Sequence, residues 1–304
     1  MSTSYIYDLT VNYLSDPCGI DQLPRFSYKV HTNHRGDAQI SRRICVFASK
    51  EALEQGLAVW DSGVVADKNN VLIHYEGPAL SPVTRYYFIV ECETASGEKL
   101  TSPAGTFVTG KLNEKWHAKW ISYDKVTRDF VSGQYLRKEF EIKGEVASAF
   151  LSICGLGYFE SFINGVKTGD DILSPAFTRY DAESYYMQYD VAALLKQGEN
   201  AIGVSLGNGF YNGFTQDVWN TTAATWRNPP KMICELKITY VDGTVEMLYS
   251  NPSWKSSLGP ITFTGVRNVS FTMHVWNWVT GQMPVMMIQH GIQLRFVRAQ
   301  AVFW

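Results

Sequence analysis

The chain has 304 residues, of which 45% are hydrophobic and 14% aromatic, with 27 Lys+Arg set against 29 Asp+Glu. A polymer of this length buries well over half of the surface that its unfolded form exposes, enough for two ordinary domains. The balanced charge leaves no polyelectrolyte field to hold nucleic acid or an anionic membrane, so neither is expected as a partner.

The opening MSTSYIYDLTVNYLSD has no basic stretch followed by an apolar one, and no apolar run reaches membrane-spanning length, which predicts a cytoplasmic protein. Cys18, Cys45, Cys92, Cys154 and Cys234 are odd in number, far apart and without CxxC spacing. Neither a disulfide framework nor a zinc site is signalled. Cys92 and Cys234 fall on alternating runs and read as buried, reduced thiols.

Short period-2 runs separated by turn chemistry fill the first third of the chain, the pattern of an antiparallel sandwich with little helix. Phe26, Tyr28 and Val30 alternate with Ser27 and Lys29; Phe88, Val90 and Cys92 alternate with Ile89, Glu91 and Glu93. Glycine and proline mark the breaks, at Pro17, Gly19, Gly36, Gly63, Gly77, Pro78, Pro82 and Gly97. The expectation is an immunoglobulin-like or fibronectin type III-like β-sandwich over residues 1–112. His31 and His34, three apart, could share a metal on a helix, but KVHTNHRGD reads as a loop without a third ligand, and no metal is expected there.

The polar TFVTGKLNEK before KWHAKWI marks a boundary near residue 112. Beyond it, Asn164 and Gly165 form a hairpin signal of type I′. Asp190 as N-cap, Lys196 in the last turn and Gly198 as C′ residue predict one short helix over DVAALLKQG. Ile202, Val204 and Leu206, then Cys234, Leu236, Ile238 and Tyr240, alternate as strands, giving an all-β chain of two consecutive sandwiches. Asp124, Asp129, Asp181, Glu183 and Asp190 offer many carboxylate pairs, but sequence alone places no two at the separation that glycoside hydrolysis needs. No phosphate-binding loop, dinucleotide fingerprint or nucleophile elbow is present.

Three stretches together resemble one family. DPCGIDQLPRFSYKV, and VWDSGVV with YEGPALSPVTRYYF, resemble the fibronectin-like opening domain of α-L-rhamnosidases of glycoside hydrolase family 78. GLGYFESFINGVKTGDDILSPAFTRYDAESYYMQYDVAALLKQGENAIGVSLGNGFYNG resembles the galactose-binding-like jelly roll that follows it, over residues 113–268. The resemblance implies inverting hydrolysis of terminal α-L-rhamnose by carboxylic acids on a downstream (α/α)6 barrel. This chain offers no run of helical pattern long enough for such a barrel, so the expectation is a truncated, noncatalytic portion without catalytic residues. The alternatives are a stand-alone L-rhamnose-binding module pair and a β-sandwich scaffold.

The resemblance also implies where a sugar would sit. Such jelly rolls hold a sugar against an aromatic ring at one end, with carboxylates or amides on its hydroxyls and sometimes a calcium ion. The candidates are Asp170 and Asp171 after the hairpin, and Asn208, Phe210 and Tyr211 in LGNGFYNG. A solvated turn is the other reading of the acidic pair, and a close-packed corner the other reading of GNGFY. Family members commonly carry Trp where Phe210 stands, so an indole donor is missing here.

After Phe263 the family's next motifs are absent, and residues 269–304 carry methionines in place of acids. Regrouping codons, with the last base of one triplet joined to the first two of the next, restores them. Phe271 to Val275 then permits Tyr-Asp-Ala-Arg, and Pro284 to Gly291 permits Gly-Tyr-Asp-Asp-Ser-Ala-Trp, both aspartates being forced by Met286 and Met287. The expectation is a frame slip between Gly265 and Phe271 and a tail without an evolved fold. Sequencing the coding DNA across codons 260 to 304 checks it: codons unable to spell these motifs in the other frame defeat it.

Overall fold

The computed structural model describes residues 4–127, 129, 132–214, 220–266, 269–272, 292–293 and 295–296. It divides into two compact units, Met1–Lys115 and Trp116–Trp304. Among the described residues, no helix is long and apolar enough to cross a membrane.

The first unit contains β1 (Tyr5–Val11), β2 (Cys18–Ile20), β3 (Arg25–His31), β4 (Gln39–Phe47), α1 (Lys50–Glu54), β5 (Trp60–Asp61), β6 (Ile73–His74), β7 (Arg85–Thr94), β8 (Lys99–Thr101) and β9 (Gly105–Thr109). One sheet runs β1-β3-β6 and the other β2-β9-β7-β4-β5, with β8 on β7. β7 alternates buried and half-buried residues along its whole length, as its sequence predicts. Phe26, Tyr28, Ile44, Val46, Phe88, Val90, Cys92 and Phe107 therefore meet in one apolar core between the sheets. Burial pushes the Cys92 thiol up to about 11, so it stays an unreactive free thiol.

Two details differ from the sequence expectation. Ser49 caps the five-residue α1, its side chain accepting from the Ala52 amide, a helix that the strand-dominated reading of this region passed over. His31 ends β3 with its ring 5.0 Å from that of Tyr5, rather than lying in a loop with His34.

The second unit holds β10 (Ile121–Ser122), β11 (Gln134–Ile142), β12 (Val146–Leu156), β13 (Tyr158–Ile163), β14 (Val166–Lys167), β15 (Met187–Asp190), β16 (Gly198–Gly207), β17 (Lys231–Tyr240), β18 (Val245–Tyr249), β19 (Lys255–Leu258), β20 (Ile261–Gly265), β21 (Val269–Thr272), β22 (Ile292–Gln293) and β23 (Arg295–Phe296). One sheet runs β15-β12-β17-β10-β23 with β18 on β17; its partner runs β14-β13-β16-β11-β19-β22; β20 and β21 form a pair of their own. Leu136, Leu151, Ile153, Ile163, Ile202, Val204, Leu206, Cys234, Leu236 and Ile238 fill the space between the two large sheets. In the tail, residues 269–272, 292–293 and 295–296 pair as β21, β22 and β23. The rest of it, including Met273, Met286, Met287, Trp276, Trp278 and Phe303, lies outside the described residues.

The β13–β14 hairpin turns at Asn164 and Gly165, both at positive φ (52° and 83°) as a type I′ turn requires. Asn164 also ties this turn to the next strand. Its amide nitrogen donates to the Leu194 carbonyl (2.9 Å) and to Asn200 Oδ1 (2.8 Å), and its Oδ1 accepts from the Ala201 amide (3.0 Å). Buried Asn200 donates in turn to the carbonyls of Lys196 and Gly198 and accepts from the Lys196 amide.

This network corrects the predicted helix. Only Ala192–Leu194 is helical, as a single 3-10 turn; Asp190 ends β15, and its carboxylate accepts from the Ala192 amide. The backbone groups of Lys196 and Gly198, which a longer helix would have used, are held by Asn200, and β16 begins at Gly198.

Replacing Asn200 by Ala is expected to lower the unfolding free energy by roughly 2–4 kcal/mol, because several buried groups lose their partner at once. Urea denaturation measures this, and a loss below about 1 kcal/mol would show the network to be dispensable.

Candidate functional site

β12 and β17 pair antiparallel in register from Ser148↔Thr239 to Leu156↔Lys231. Side chains alternate across such a pair, so Leu151, Ile153, Cys234 and Leu236 enter the sandwich core while Cys154, Leu156, Lys231 and Ile233 face the opposite way. That second face is also covered. Ala118, Trp120, Tyr180 and Tyr211 pack on it, with Trp116, Tyr186, Phe210 and Trp226 at its margin.

The rings form a continuous set of edge-on contacts. Phe210 lies 6.2 Å from Tyr158 and 5.3 Å from Phe177; Phe177 lies 5.6 Å from Tyr180 and 6.3 Å from Trp226; Tyr180 lies 5.3 Å from Tyr211. Exposure falls along this path from 51% at Phe177 to 1% at Tyr211. A half-open aromatic wall thus leads to a closed floor.

Lys231 belongs to that floor. Its side chain is almost fully buried, with Nζ 5.7 Å from the Trp120 ring centre and 6.0 Å from that of Tyr211. Loss of hydration lowers its pKa to about 8. Burial drives the Tyr180 and Tyr211 phenols the other way, well above the usual range, and raises the Cys154 thiol to about 12.

The sequence candidates fall into two groups. Asn208 is wholly buried: its Nδ2 donates to the carbonyl and hydroxyl of Thr264 (3.1 and 2.8 Å), and its Oδ1 accepts from Asn212 (2.9 Å). Tyr211 is buried beside it in sequence, and Phe210 is half-buried between Tyr158 and Phe177. The loop closes tightly, since a Cβ on Gly157 would lie 2.2 Å from the Gly207 carbonyl. Asp170 and Asp171 are exposed on the loop after β14. Among the described residues, no hydrogen bond or ring contact joins them to Asn208, Phe210 or Tyr211.

Asp171 does not suit calcium. Lys167 Nζ lies 3.1 Å from its carbonyl and 2.8 Å from Glu160 Oε1, placing an ammonium where a cation would have to compete. The Asp171 carboxylate meets the Tyr189 hydroxyl, and among the described residues no three acidic, His or Cys groups gather around a common point.

Two other carboxylates are held low by arginines. Asp181 pairs with Arg179 and lies below its usual range, and Arg43 brings Asp61 down to about 2. These shifts are opposite to what an acid that protonates a leaving oxygen needs.

Phe177, Tyr180, Trp226, Trp120 and Lys231 are the residues that sequence reasoning missed. LSPAFTRY was read as a family marker, although its aromatic spacing was the available signal; nothing around Lys231 announced a buried amine.

The family description "Alpha-L-rhamnosidase N-terminal domain" matches residues 144–268, and "Rha78A-like, N-terminal immunoglobulin domain" matches residues 6–113. The chain belongs to the N-terminal domains of the family 78 α-L-rhamnosidases. An α-L-rhamnosidase of Formosa agariphila is 34% identical over 297 residues, covering 88% of this chain and 31% of that protein. The α-L-rhamnosidase structure from Dictyoglumus thermophilum superposes with a TM-score of 0.84 at 28% identity, over 97% of this chain and 34% of that one. That of the Streptomyces avermitilis α-L-rhamnosidase complexed with L-rhamnose gives 0.86 at 19% identity, over 99% and 45%, a likeness of fold alone. The chain thus spans about a third of the length of the curated relative from Formosa.

Because Lys231 is held near 8, the folded second unit gives up this proton at a lower pH than the unfolded chain does. The Lys231 contribution to stability should therefore grow with pH above about 8, by roughly 1–2 kcal/mol up to pH 9.5, against the opposite trend from thiols that ionise in the unfolded chain and are held neutral in the fold. Denaturation of the wild type and of Lys231→Met at several pH values measures this as the difference between their pH slopes, and identical slopes would show that Lys231 is not the source.

Proposed function

We propose that this chain is a noncatalytic accessory portion of a rhamnoside hydrolase, and that its second unit holds a rhamnose-containing glycan. The observation that carries the reading is the half-exposed Phe177 ring set 5.3 Å from Phe210, on the unit matching the rhamnosidase N-terminal domain. A deoxysugar has an apolar face and a methyl group that stack on such rings, while its hydroxyls need polar partners at the rim. In this reading Phe177 and Phe210 are the platform, and Asn208 and Tyr211 fix the loop that carries Phe210, while Asp170 and Asp171 stand apart from it on the loop after β14. The relatives' common name supplies the sugar; the alignment with only their N-terminal third supports a role apart from bond cleavage.

Calorimetry with L-rhamnose should give saturable heat, and Phe177→Ala or Phe210→Ala should weaken binding about tenfold, equivalent to about 1.4 kcal/mol. No heat at millimolar sugar would refute binding. The 304-residue chain should also leave an aryl α-L-rhamnoside intact, and turnover by the purified chain would overturn the noncatalytic role.

A further inference from the structure

Lys231 is an exception among the buried basic residues. Lys111 has Glu114 at 3.7 Å and Arg227 has Asp129 at 3.5 Å, whereas among the described residues no carboxylate reaches Lys231. Among the described residues its charge meets the faces of Trp120 and Tyr211. Ring faces attract an ammonium but accept none of its hydrogen bonds in the way an oxygen does.

Two further donors lie along the same chain of rings. Tyr180 Oη and Trp226 Nε1 are buried without a hydrogen-bond partner among the described residues, and their rings are 6.2 Å apart. Tyr180 contacts Tyr211 at 5.3 Å, and Tyr211 lies under Lys231. Buried polar groups are normally satisfied, so two unanswered donors beside an ammonium without a carboxylate need a common explanation. All three are able to donate, and a partner for them must be rich in acceptors; with an ammonium among them, it carries negative charge. At the outer end of this chain of rings lie the exposed Phe177 ring and Phe210, which suit the flat face of a pyranose.

We infer that Lys231, Tyr180 and Trp226 form a subsite for the carboxylate of an acidic sugar, a uronate carried on the glycan that the Phe177–Phe210 platform holds. The inference rests on the glycan-holding role proposed above and adds the charge of the ligand. Neutral sugars leave the ammonium unanswered. A uronate supplies two carboxylate oxygens to the donors and keeps its ring against the aromatic wall.

Thermal unfolding and calorimetry of the full chain with sodium D-glucuronate, D-glucose, sodium acetate and L-rhamnose test it. Glucuronate should raise the melting temperature and bind saturably, with glucose and acetate weaker by about tenfold or more. Lys231→Met keeps the aliphatic stem and relieves a buried charge, so it should fold, and it should lose the response to glucuronate. Tyr180→Phe keeps the ring and should weaken that response several-fold. No response in the wild type, an undiminished one in Lys231→Met, or acetate acting as well as glucuronate would overturn the inference. Rhamnose binding without glucuronate binding would sink this subsite alone; glucuronate binding without rhamnose binding would sink the platform's assignment to rhamnose and leave the subsite standing.

Discussion

Everything in the second unit depends on the register between β12 and β17. Both strands are buried on both faces over the stretch where Ile153 meets Cys234 and Leu156 meets Lys231. Slipping one strand by a single residue would reverse its faces, driving Lys231 and Glu235 into the sandwich interior and expelling Met232, Cys234 and Leu236. Charge in an apolar core is among the most costly errors a fold can make. The pairing is therefore fixed by what each face can accept, and the aromatic cluster inherits its geometry from that constraint.

The same constraint explains why the sandwich could be read from sequence. Alternation in Phe26-Tyr28-Val30, Phe88-Val90-Cys92 and Cys234-Leu236-Ile238 reports a core on one side, and the structure places those side chains there. The Asn164-Gly165 turn was equally plain, since few residues other than Asn and Gly take positive φ in succession. What alternation cannot report is a second covered face. Glu235 and Lys231 read as solvent-facing positions until the loops that roof them are known.

The helix after Asp190 shows the other limit. Its capping residues and apolar spacing are real local preferences, yet Asn200, several residues on, takes over the backbone groups the helix would need. Side chains that bond to the backbone compete with regular structure, and tertiary placement decides the contest. The paired asparagines also give a physical role to two pieces of the family pattern, the Asn-Gly of the hairpin and the Gly-Glu-Asn that opens β16. Asn208 is similar, a polar residue absorbed entirely by Thr264 and Asn212, so the GNGFY loop holds its shape by internal bonding.

Glu235 carries a last consequence. Its Oε1 accepts from the backbone amides of His117 and Ala118, clamping the first residues of the unit onto the outer side of β17. Any excised version of this unit must accordingly retain the segment from Trp116 onward. A fragment started at Lys119 would look complete by strand count, but would leave an interior carboxylate deprived of both amides and uncover the hydrophobic surface that Trp116 and Ala118 shield.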